Sequence, residues 1–415
     1  MKIVSPLLHI ALLGLFPSSV FAQYNRILSH DIASLQVVAG DNWLSMPIAR
    51  LDGSEKINIS FDDLTHEYHR YVYKLEHCDA FWNPSTEIFS SDFCQGFADG
   101  NTIDDVEQSI NTNTLYTHYS LQIPNERCRP IMSGNYRVSV YDDNTNDTAF
   151  VATFMLYEPI VGISLGATTN TDVDINGSHQ QVEMKLAYGS LPAIRDYREE
   201  ITTVVLQNGY WRGAVVNATP QYIMHDGLQW QHNQALIFDA GNEYRKFETL
   251  DPDHTTMGLE NVGWDGSQYH AYIWPDEARP NYVYDEDANG SFYIRNSDNI
   301  ENDVSSEYVL VHFTIPIPRQ NGDVYLNARW TNESLDTRFK LHYDEIAKCY
   351  SSTQLLKQGY YSYQYLLQKS NGDLVPLPTE GNFYQTENKY QALVYYRPIG
   401  GRTHRLVGYS EVQLN

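Results

Sequence analysis

The sequence has few basic residues for its length. Its 415 residues include 28 lysines and arginines against 52 aspartates and glutamates, a formal net charge of -24. Proteins that bind nucleic acid do so largely through basic residues that contact phosphates, so we expect no nucleic-acid partner. However, 42% of the residues are hydrophobic and 13% are aromatic, which is too much apolar surface for a disordered polyanion. The sequence therefore predicts an acidic, folded protein.

Long apolar runs are scarce beyond the N-terminus. Residues 7–16 are largely apolar, follow Lys2 and precede Val20-Phe21-Ala22, which is the arrangement of a secretory signal cleaved after Ala22. An uncleaved membrane anchor is the alternative, but a bilayer requires about 20 apolar residues. We expect a signal peptide at 1–22 and an exported, periplasmic chain with no direct membrane span.

Cysteine is rare, and the four cysteines are Cys78, Cys94, Cys128 and Cys349. No C-x-x-C pair occurs, and the distance to Cys349 lacks the spacing of zinc ligands, so a zinc site is not expected. In an oxidising compartment an even number of cysteines permits disulfides, but the sequence does not determine their connectivity. Buried thiols that pack as small apolar side chains are the alternative. We expect at least one disulfide.

Familiar catalytic signatures are missing. The sequence has no G-x-S-x-G elbow, no G-x-x-x-x-G-K-[ST] loop and no G-x-G-x-x-G turn. His66-Glu67-Tyr68-His69 differs from H-E-x-x-H because its histidines are three residues apart, and in a strand they would face opposite sides of the sheet. Among so many carboxylates, a glycosidase pair cannot be identified from sequence spacing. We predict no catalytic residue, no metal ligand and no cofactor.

Two segments rich in Asp and Asn resemble calcium loops. Residues 172–177, with Glu183 at the twelfth position, fit D-x-[DN]-x-[DN]-G-x5-E, whereas the segment that starts at Asp285 has Asn296 at its twelfth position. An EF-hand requires a flanking helix on each side, but residues 181–188 alternate like a strand. We expect both the Asp172 and Asp285 loops to be hairpin turns, with structural calcium as the alternative.

Strand patterns dominate the remaining sequence. In 71–77, Tyr71, Tyr73 and Leu75 share one face while Lys74 and Glu76 point to the other. The same alternation recurs at 136–140, 308–315, 324–330 and 389–396. A short helix is predicted only over 101–111. The expected fold class is all-β, with tandem antiparallel β-sandwich domains.

Two composition changes divide the chain. Pro159 interrupts an apolar strand before a stretch rich in Gly, Thr, Asn and Asp, and a second, softer boundary lies between Pro280 and Val304. The expected domains are an N-terminal β-sandwich at 23–158, a second β domain at 159–300 and a C-terminal immunoglobulin-like β-sandwich at 301–415.

Tyrosines form one further pattern. Tyr361, Tyr363 and Tyr365 share one face of a predicted strand. Exposed rings in this arrangement stack on sugars or anchor protein interfaces. Rings of this size more often fill the interior of a sandwich, and we expect that placement here.

Eight short segments, taken in order, resemble a known family. They are FDDL (61–64), YKLEHCDAFW (73–82), YTHY (116–119), SGNY (133–136), LQNG (206–209), AGNEYR (240–245), EGNF (380–383) and TEN (386–388). Each segment alone is weak, but their collinearity across nearly the whole mature chain is specific. Together they resemble the plug protein family of the type IX secretion system.

This resemblance implies a non-enzymatic protein of the Gram-negative periplasm. Its expected partner is the outer-membrane translocon barrel protein, whose periplasmic mouth the family occludes, and the chain would associate with the outer membrane through that partner. A tight seal depends on contact area and shape. The resemblance supplies no catalytic residues to transfer.

A second resemblance concerns the last predicted domain. Residues 327–332 and 356–363 are similar to early-set immunoglobulin-like modules that bind glycogen-type glycans. Because such folds carry many functions, this likeness supports a fold more than a ligand. The alternative function is a periplasmic or surface glycan-binding protein that uses Trp330 and the tyrosines as stacking platforms, and an enzyme ranks third.

Overall fold

The computed structural model describes residues 24–414. Over this range the protein is all-β, with 48% of residues in strands and 5% in helices, which confirms the predicted fold class. None of the helices within this range is long and apolar enough to cross a membrane. The predicted signal peptide at 1–22 lies outside the described residues.

The strands follow one another in three groups along the chain. The first group is β1 Arg26–Ile27, β2 Ile32–Ala39, β3 Ile48–Arg50, β4 Ile57–Asp63, β5 Tyr71–Cys78, β6 Cys94–Gly96, β7 Asn101–Thr102, β8 Asp105–Gln108, β9 Thr117–Ile123, β10 Cys128–Pro130, β11 Gly134–Asp142 and β12 Thr148–Tyr157. The second group is β13 Gly162–Thr168, β14 His179–Ala187, β15 Ile201–Gln207, β16 Tyr210–Val216, β17 Tyr222–Met224, β18 Gly227–Trp230 and β19 Ile237–Asp239. The third group is β20 Arg245–Thr249, β21 Leu259–Trp264, β22 Tyr269–Ile273, β23 Phe292–Ile294, β24 Tyr308–Ile315, β25 Gly322–Asn327, β26 His342–Asp344, β27 Cys349–Lys357, β28 Gly359–Lys369 and β29 Leu374–Pro376, followed by β30 Lys389–Tyr396 and β31 Arg405–Gln413.

The helices are single turns. They are α1 Ser90–Phe93, α2 Tyr197–Glu200 and α3 Asn302–Ser305, with 3-10 turns at Gln234–Leu236, Thr337–Phe339 and Pro378–Glu380.

The first sandwich consists of two facing sheets. One has the order β1-β12-β11-β5-β7, with β3 parallel to β12, and the other has the order β2-β4-β9-β8. Phe61 of β4 meets Phe150 of β12 between the sheets, with ring centroids 4.7 Å apart. Strands β6 and β10 pair with each other in a separate two-stranded sheet. The apolar faces predicted from alternation therefore point into one shared core.

The second sandwich is completed by the end of the chain. Its sheets are β13-β14-β18-β17, with β19 beside β14, and β16-β15-β30-β31. The core between them includes Trp230 from β18 and Tyr390 from β30. The third sandwich, β20 to β29, is thus inserted between strands β19 and β30 of the second.

The third sandwich pairs strands from both sides of residue 300. Strand β20 pairs with β28, and β22 pairs in parallel with β24. The expected division between 300 and 301 would therefore place paired strands in different domains. When the strands are grouped by their pairing, the third sandwich is nested within the second. The predicted domains instead follow one another along the chain.

The predicted helix over 101–111 is wrong. Asn101–Thr102 pairs with the edge of β5, and Asp105–Gln108 pairs with β9. Ile103 lies between these strands and is buried in the first core. Pairing with two different sheets outweighs the weak helical spacing of the apolar residues.

An apolar cluster joins the first sandwich to the second. Met46, Trp82 and Met155 from the first pack with Leu206 and Leu393 from the second, all of them buried. An interface of this kind resembles the core of one domain, so the two sandwiches form one body.

A buried ion pair joins the first sandwich to the third. Lys357 Nζ lies 2.6 Å from Asp62 Oδ2, and the two side chains are 1% and 0% exposed. The Tyr308 hydroxyl donates to the same carboxylate oxygen at 2.7 Å, His118 Nδ1 lies 2.7 Å from the other oxygen, and Lys357 also donates to the Asp303 carbonyl. Burial opposes charge on Asp62, but Lys357 and His118 hold its pKa below the usual range. Both carboxylate oxygens of Asp62 thus have donors, and Lys357 Nζ has two acceptors, although burial lowers the pKa of Lys357.

Two linkers run side by side between the second and third sandwiches. Gly241 N–H donates to Asn382 Oδ1 at 2.8 Å, and Asn242 Nδ2 donates to the Glu380 carbonyl at 2.7 Å. Asn388 Nδ2 donates to the Ala240 carbonyl at 2.7 Å. The linkers into and out of the third sandwich are thus fixed to each other.

Replacing Asp62 should destabilise the protein strongly. Asp62→Asn leaves Lys357 buried without a counter-charge, and we expect the free energy of unfolding to fall by about 3–5 kcal/mol. Asp62→Asn combined with Lys357→Met should recover much of this loss. Urea unfolding followed by tryptophan fluorescence provides the measurement.

Asp52→Asn is the matched control. Asp52 pairs with Arg50 at 3.0 Å, but both side chains are more than half exposed, so the change should leave the free energy of unfolding nearly unchanged. Equal losses in the two single variants would contradict a special role for the buried pair.

Candidate functional site

The two histidines considered as metal ligands do not share a site. His66 and His69 lie in the connection between β4 and β5, not in a strand as predicted. His66 Nδ1 is 3.1 Å from the Tyr116 carbonyl, whereas His69 Nδ1 is 3.1 Å from Asp63 Oδ2. Within residues 24–414 no group of three His, Cys, Asp or Glu side chains is arranged to hold a metal ion.

The first calcium-like segment connects β13 to β14. Asp174 Oδ2 accepts from Ser178 N–H at 3.0 Å and lies 2.7 Å from His179 Nδ1. Asp172 is bonded to Gln181 and His232 instead. The two carboxylates therefore have separate partners in a turn that leads into a strand, as the strand pattern of 181–188 indicates.

The second calcium-like segment is not the hairpin turn that the sequence predicted, because it connects β22 to β23, which pair with different strands. Asp285 pairs with Lys246 at 2.6 Å, and Asp287 accepts from the backbone N–H of Asn289 at 2.9 Å. Burial raises the pKa of Asp287 to about 7. A carboxyl group that is partly protonated near neutral pH is a poor calcium ligand.

The tyrosine row lies inside the third sandwich. Tyr361, Tyr363 and Tyr365 are almost fully buried, as expected, and Trp330 packs in the same core. Trp330 Nε1 donates to the Ser362 carbonyl at 3.2 Å. The stacking platform of the glycan-binding alternative is therefore not at the surface, and that assignment of Trp330 and the tyrosines is wrong.

A buried acid lies where the three sandwiches meet. Glu333, whose backbone adopts a left-handed conformation, borders a cavity of about 90 Å³ that also contacts Tyr24, Trp211 and Arg329. Burial raises the pKa of Glu333 to about 8 against the influence of Arg212 and Arg329. Perturbed acids often mark active sites, but small-molecule sites occupy about 300–1,000 Å³. This cavity has room for only a few water molecules.

A larger cleft on the other side of Arg329 is acidic. It has a volume of about 310 Å³, and its walls include Glu243, Asp287, Glu387 and Glu411. Glu243 already accepts bonds from the Tyr282 hydroxyl and the Glu387 N–H. The carboxylates are thus used within the protein, and the cleft contributes to its negative field.

The most exposed aromatic element is a long connection in the first sandwich. Residues 79–100, here called the 79–100 excursion, join β5 to β7 and contain α1 and β6. Phe81, Phe89 and Phe97 are all exposed, Phe89 and Phe97 by 75% and 72%. Exposed phenylalanines at this density are typical of protein interaction surfaces.

An open cleft of about 500 Å³ separates the 79–100 excursion from β5. Leu75 lies on one side of the cleft, and Ile88, Phe93 and Phe97 lie on the other. Phe93 also reaches the first core. The cleft is large enough for a side chain or short peptide segment of a partner.

His77 holds the excursion against the rest of the protein. Its Nε2 lies 3.2 Å from the Ser133 carbonyl, so this nitrogen donates, and its Nδ1 accepts from the Ser85 hydroxyl at 2.9 Å. Ser85 also bonds Thr403 of the second sandwich at 2.6 Å. Burial lowers the pKa of His77 to about 4. A Cβ on Gly134 would lie only 2.2 Å from this imidazole, which explains glycine there.

No disulfide joins any two of the four cysteines in this structure, and the expectation of at least one disulfide stays a prediction. Cys78 is buried in the apolar cluster between the first and second sandwiches, and Cys349 starts β27 in the third. Cys94 Sγ and Cys128 Sγ lie 3.3 Å apart. Of the pairings left open by the sequence, the structure brings together only Cys94 and Cys128.

No sequence pattern indicated that the 79–100 excursion exposes a candidate interaction surface. Its phenylalanines are four or eight residues apart, which is compatible with a helix, but Pro84 and Gly96 interrupt the segment and only Ser90–Phe93 forms a helical turn. The available signal was the spacing of Phe81, Phe89 and Phe97 among turn-forming residues, where no core-facing strand could bury them.

Comparison with known proteins identifies a family for the first sandwich and a solved structure that matches most of the chain. A family model described as the type 9 secretion system plug protein first domain matches residues 32–158. The crystal structure of a hypothetical protein from Parabacteroides merdae is 38% identical, with a TM-score of 0.91, and the match covers 94% of this chain and 99% of that one.

Other comparisons add nothing to this relationship. The C-terminal domain of the Streptococcus pyogenes antigen I/II-family protein AspA aligns over 92% of this chain and 98% of its own, but with 5% identity and a TM-score of 0.18. A TM-score this low does not indicate a shared fold. No curated protein matches the chain.

Acidification should weaken the folded state through His77. Because its pKa is about 4 when folded and 6.5 when free, the unfolded chain binds more protons between these pH values. The free energy of unfolding should therefore fall as pH decreases from 6.5 to 4, by on the order of 3 kcal/mol for this residue. Urea unfolding at several pH values should show a smaller decrease for His77→Gln.

The control for this measurement is His254→Gln. His254 is 79% exposed, so its replacement removes a histidine without disturbing a buried contact. An unchanged pH dependence in His77→Gln would show that the buried imidazole does not titrate as described.

Calcium should have little effect on stability. The carboxylates of Asp172 and Asp174 are bonded to different side chains, so an ion would have to displace those bonds. Melting temperatures in chelator and in millimolar calcium should nearly coincide. A large upward shift in calcium, lost in Asp174→Asn, would indicate ion binding by the native state.

Proposed function

Because this chain belongs to the type IX secretion system plug family, we propose that it is a periplasmic protein that seals the secretion channel. It is exported by the segment at 1–22, binds the outer-membrane translocon barrel and occludes the periplasmic mouth of that barrel. The observation that carries the proposal is the family match over the first sandwich, extended by a 38% identical structure over 94% of the chain.

The construction of the protein supports an occluding role. The first sandwich is joined to the second by an apolar cluster and to the third by the Asp62–Lys357 pair. The paired linkers join the second to the third. A body with such interfaces resists relative motion of its domains, and a seal that must exclude solutes requires a fixed shape.

The 79–100 excursion supports a protein partner. It lies within the residues that the family model matches, and it exposes Phe81, Phe89 and Phe97. Binding energy in protein interfaces is concentrated in a few large side chains that become buried. We assign these phenylalanines as anchors for the barrel.

The negative charge of the protein supports a role in guiding its approach to the barrel rather than in holding the bound complex together. A net charge of -24 and the acidic cleft beside Arg329 create a negative field. A complementary basic rim on the barrel would accelerate association, and salt would slow it. Single acidic-to-neutral changes at the surface should then alter the association rate modestly.

The partner can be tested by capture from outer membranes. Tagged, exported protein is purified from detergent-solubilised outer membranes, and we expect a very large barrel protein to co-purify. In cells that lack the chain, the outer membrane should become permeable to large solutes if no other component substitutes. Tight binding to a defined glycan without any barrel would favour the glycan-binding alternative.

The anchor assignment can be tested with paired variants. Phe89→Ser with Phe97→Ser should weaken capture at least about tenfold, since two buried anchors each contribute on the order of 1 kcal/mol or more. Ile346→Ser is the control, because Ile346 is 95% exposed but lies in the third sandwich. Equal capture of the barrel by both variants would show that the anchors lie on another surface of the protein.

A further inference from the structure

Cys94 and Cys128 face each other across a small sheet. Strand β6 pairs with β10 so that Cys94 lies opposite Pro130 and Cys128 lies opposite Gly96. The two cysteines are therefore diagonal neighbours on one face of the pair. Both are buried in the first core, with their sulfur atoms 3.3 Å apart.

We propose that Cys94 and Cys128 form a disulfide in the exported protein, and that this bond fixes the end of the 79–100 excursion to β10. The proposal rests on the proposed function in one respect, because export supplies the oxidising compartment. The pairing itself rests on the geometry of the two strands.

The backbone around the two thiols permits the bond. A disulfide requires about 2 Å between the sulfur atoms, so the two thiols, now 3.3 Å apart, must approach by a little over 1 Å. Gly96 has a φ of 97°, and a Cβ there would lie 2.1 Å from the Arg127 carbonyl oxygen. Glycine at this position therefore allows β6 to lie close to β10 beside Cys128.

The other two cysteines have no comparable neighbour among the described residues. Cys78 packs with Met155 and Leu393 between two sandwiches, whereas Cys349 lies in the third sandwich. Their surroundings therefore favour free thiols.

The two thiols differ in reactivity in the way that oxidation requires. The hydrogen bond from the Cys128 thiol lowers the pKa of Cys94, and the same contact, together with burial, raises the pKa of Cys128. Cys94 is thus the more readily formed thiolate, which is the nucleophile in thiol-disulfide exchange.

The oxidant is the disulfide of a thiol-oxidising enzyme of the envelope. The Cys94 thiolate attacks one sulfur of that disulfide, and a mixed disulfide between Cys94 and the enzyme forms. The other enzyme sulfur leaves and becomes a thiol. The Cys128 thiol then loses its proton, attacks Cys94 Sγ and displaces the second enzyme thiol. One sulfur–sulfur bond forms in the chain, and its two electrons and two protons reduce the enzyme.

The excursion is held by few other bonds at this end. Strands β6 and β10 have three residues each and form an isolated pair, and two-stranded pairs of this length are marginal in water. Phe97 N–H donates to the Arg127 carbonyl at 2.9 Å, beside the thiols. A covalent link would therefore hold the exposed Phe97 in place when the short strand pair opens.

Thiol counting tests the pairing. The protein purified from the envelope and denatured without reductant should contain two reactive thiols per chain, and four after reduction. Peptide mapping without reduction should link a Cys94 peptide to a Cys128 peptide. Four thiols before reduction, both in envelope protein and after incubation in an oxidising glutathione buffer, would overturn the proposal, and so would a link that includes Cys78.

Two variants keep the test independent of misfolding. Cys349→Ser changes a partly exposed residue outside the pair, and it should leave one reactive thiol before reduction. Cys94→Ser should leave three thiols and no link. Hydrogen exchange should then increase at 94–98 and 127–130 but remain unchanged in β24 and β30, and equal exchange in Cys94→Ser and wild type would overturn the anchoring role.

Failure of the proposed function gives a different result. If the chain stays in a reducing compartment but forms the Cys94–Cys128 link in an oxidising glutathione buffer, the pairing is supported and export is wrong. If the chain is exported and captures the barrel with four free thiols, the proposed function is supported and the disulfide is wrong.

Discussion

The arrangement of the three sandwiches depends on the buried ion pair between Asp62 and Lys357. Removing two charges from water costs several kcal/mol per ion, so a buried pair contributes little net stability unless all its hydrogen bonds are made. Here they are made by Tyr308, His118 and the Asp303 carbonyl. Because any displacement of the third sandwich would leave a buried charge without its partner, the pair fixes the register between two domains that are distant in sequence.

The segments that carry the family resemblance lie at contacts of this kind. FDDL contains Asp62, and SGNY contains Gly134, which leaves space for the His77 imidazole. AGNEYR and EGNF form the two paired linkers, in which Asn242 and Asn382 each form a hydrogen bond to the other linker. Buried polar contacts require specific atoms at specific distances, whereas core positions accept several apolar side chains. This requirement accounts for the specific polar residues within these segments.

Local alternation predicted the strands but not their partners. Strand 308–315 agrees with β24, in which alternate residues are buried, and 389–396 agrees with β30, whose apolar run 392–396 is buried on both faces. The pairing of β15 with β30 joins residues nearly two hundred positions apart, and no local pattern indicates it, so the nested order of the sandwiches could not be predicted. The raised pKa of Glu333 likewise depends on elements from all three sandwiches that meet only in the folded chain.

The interaction surface differs physically from the body that carries it. Apolar clusters and paired linkers hold the three sandwiches. In the 79–100 excursion, Trp82 and Phe93 reach these clusters, whereas the exposed Phe97 follows directly on the short β6–β10 pair. Elements with few buried contacts open locally at lower free energy than the cores that support them. If an exposed anchor lies on such an element, the entropy lost when the element becomes ordered offsets part of the binding free energy. In the proposed role, each restraint on the excursion, the His77 imidazole and the proposed disulfide alike, would favour binding by holding the phenylalanines in place before the partner arrives.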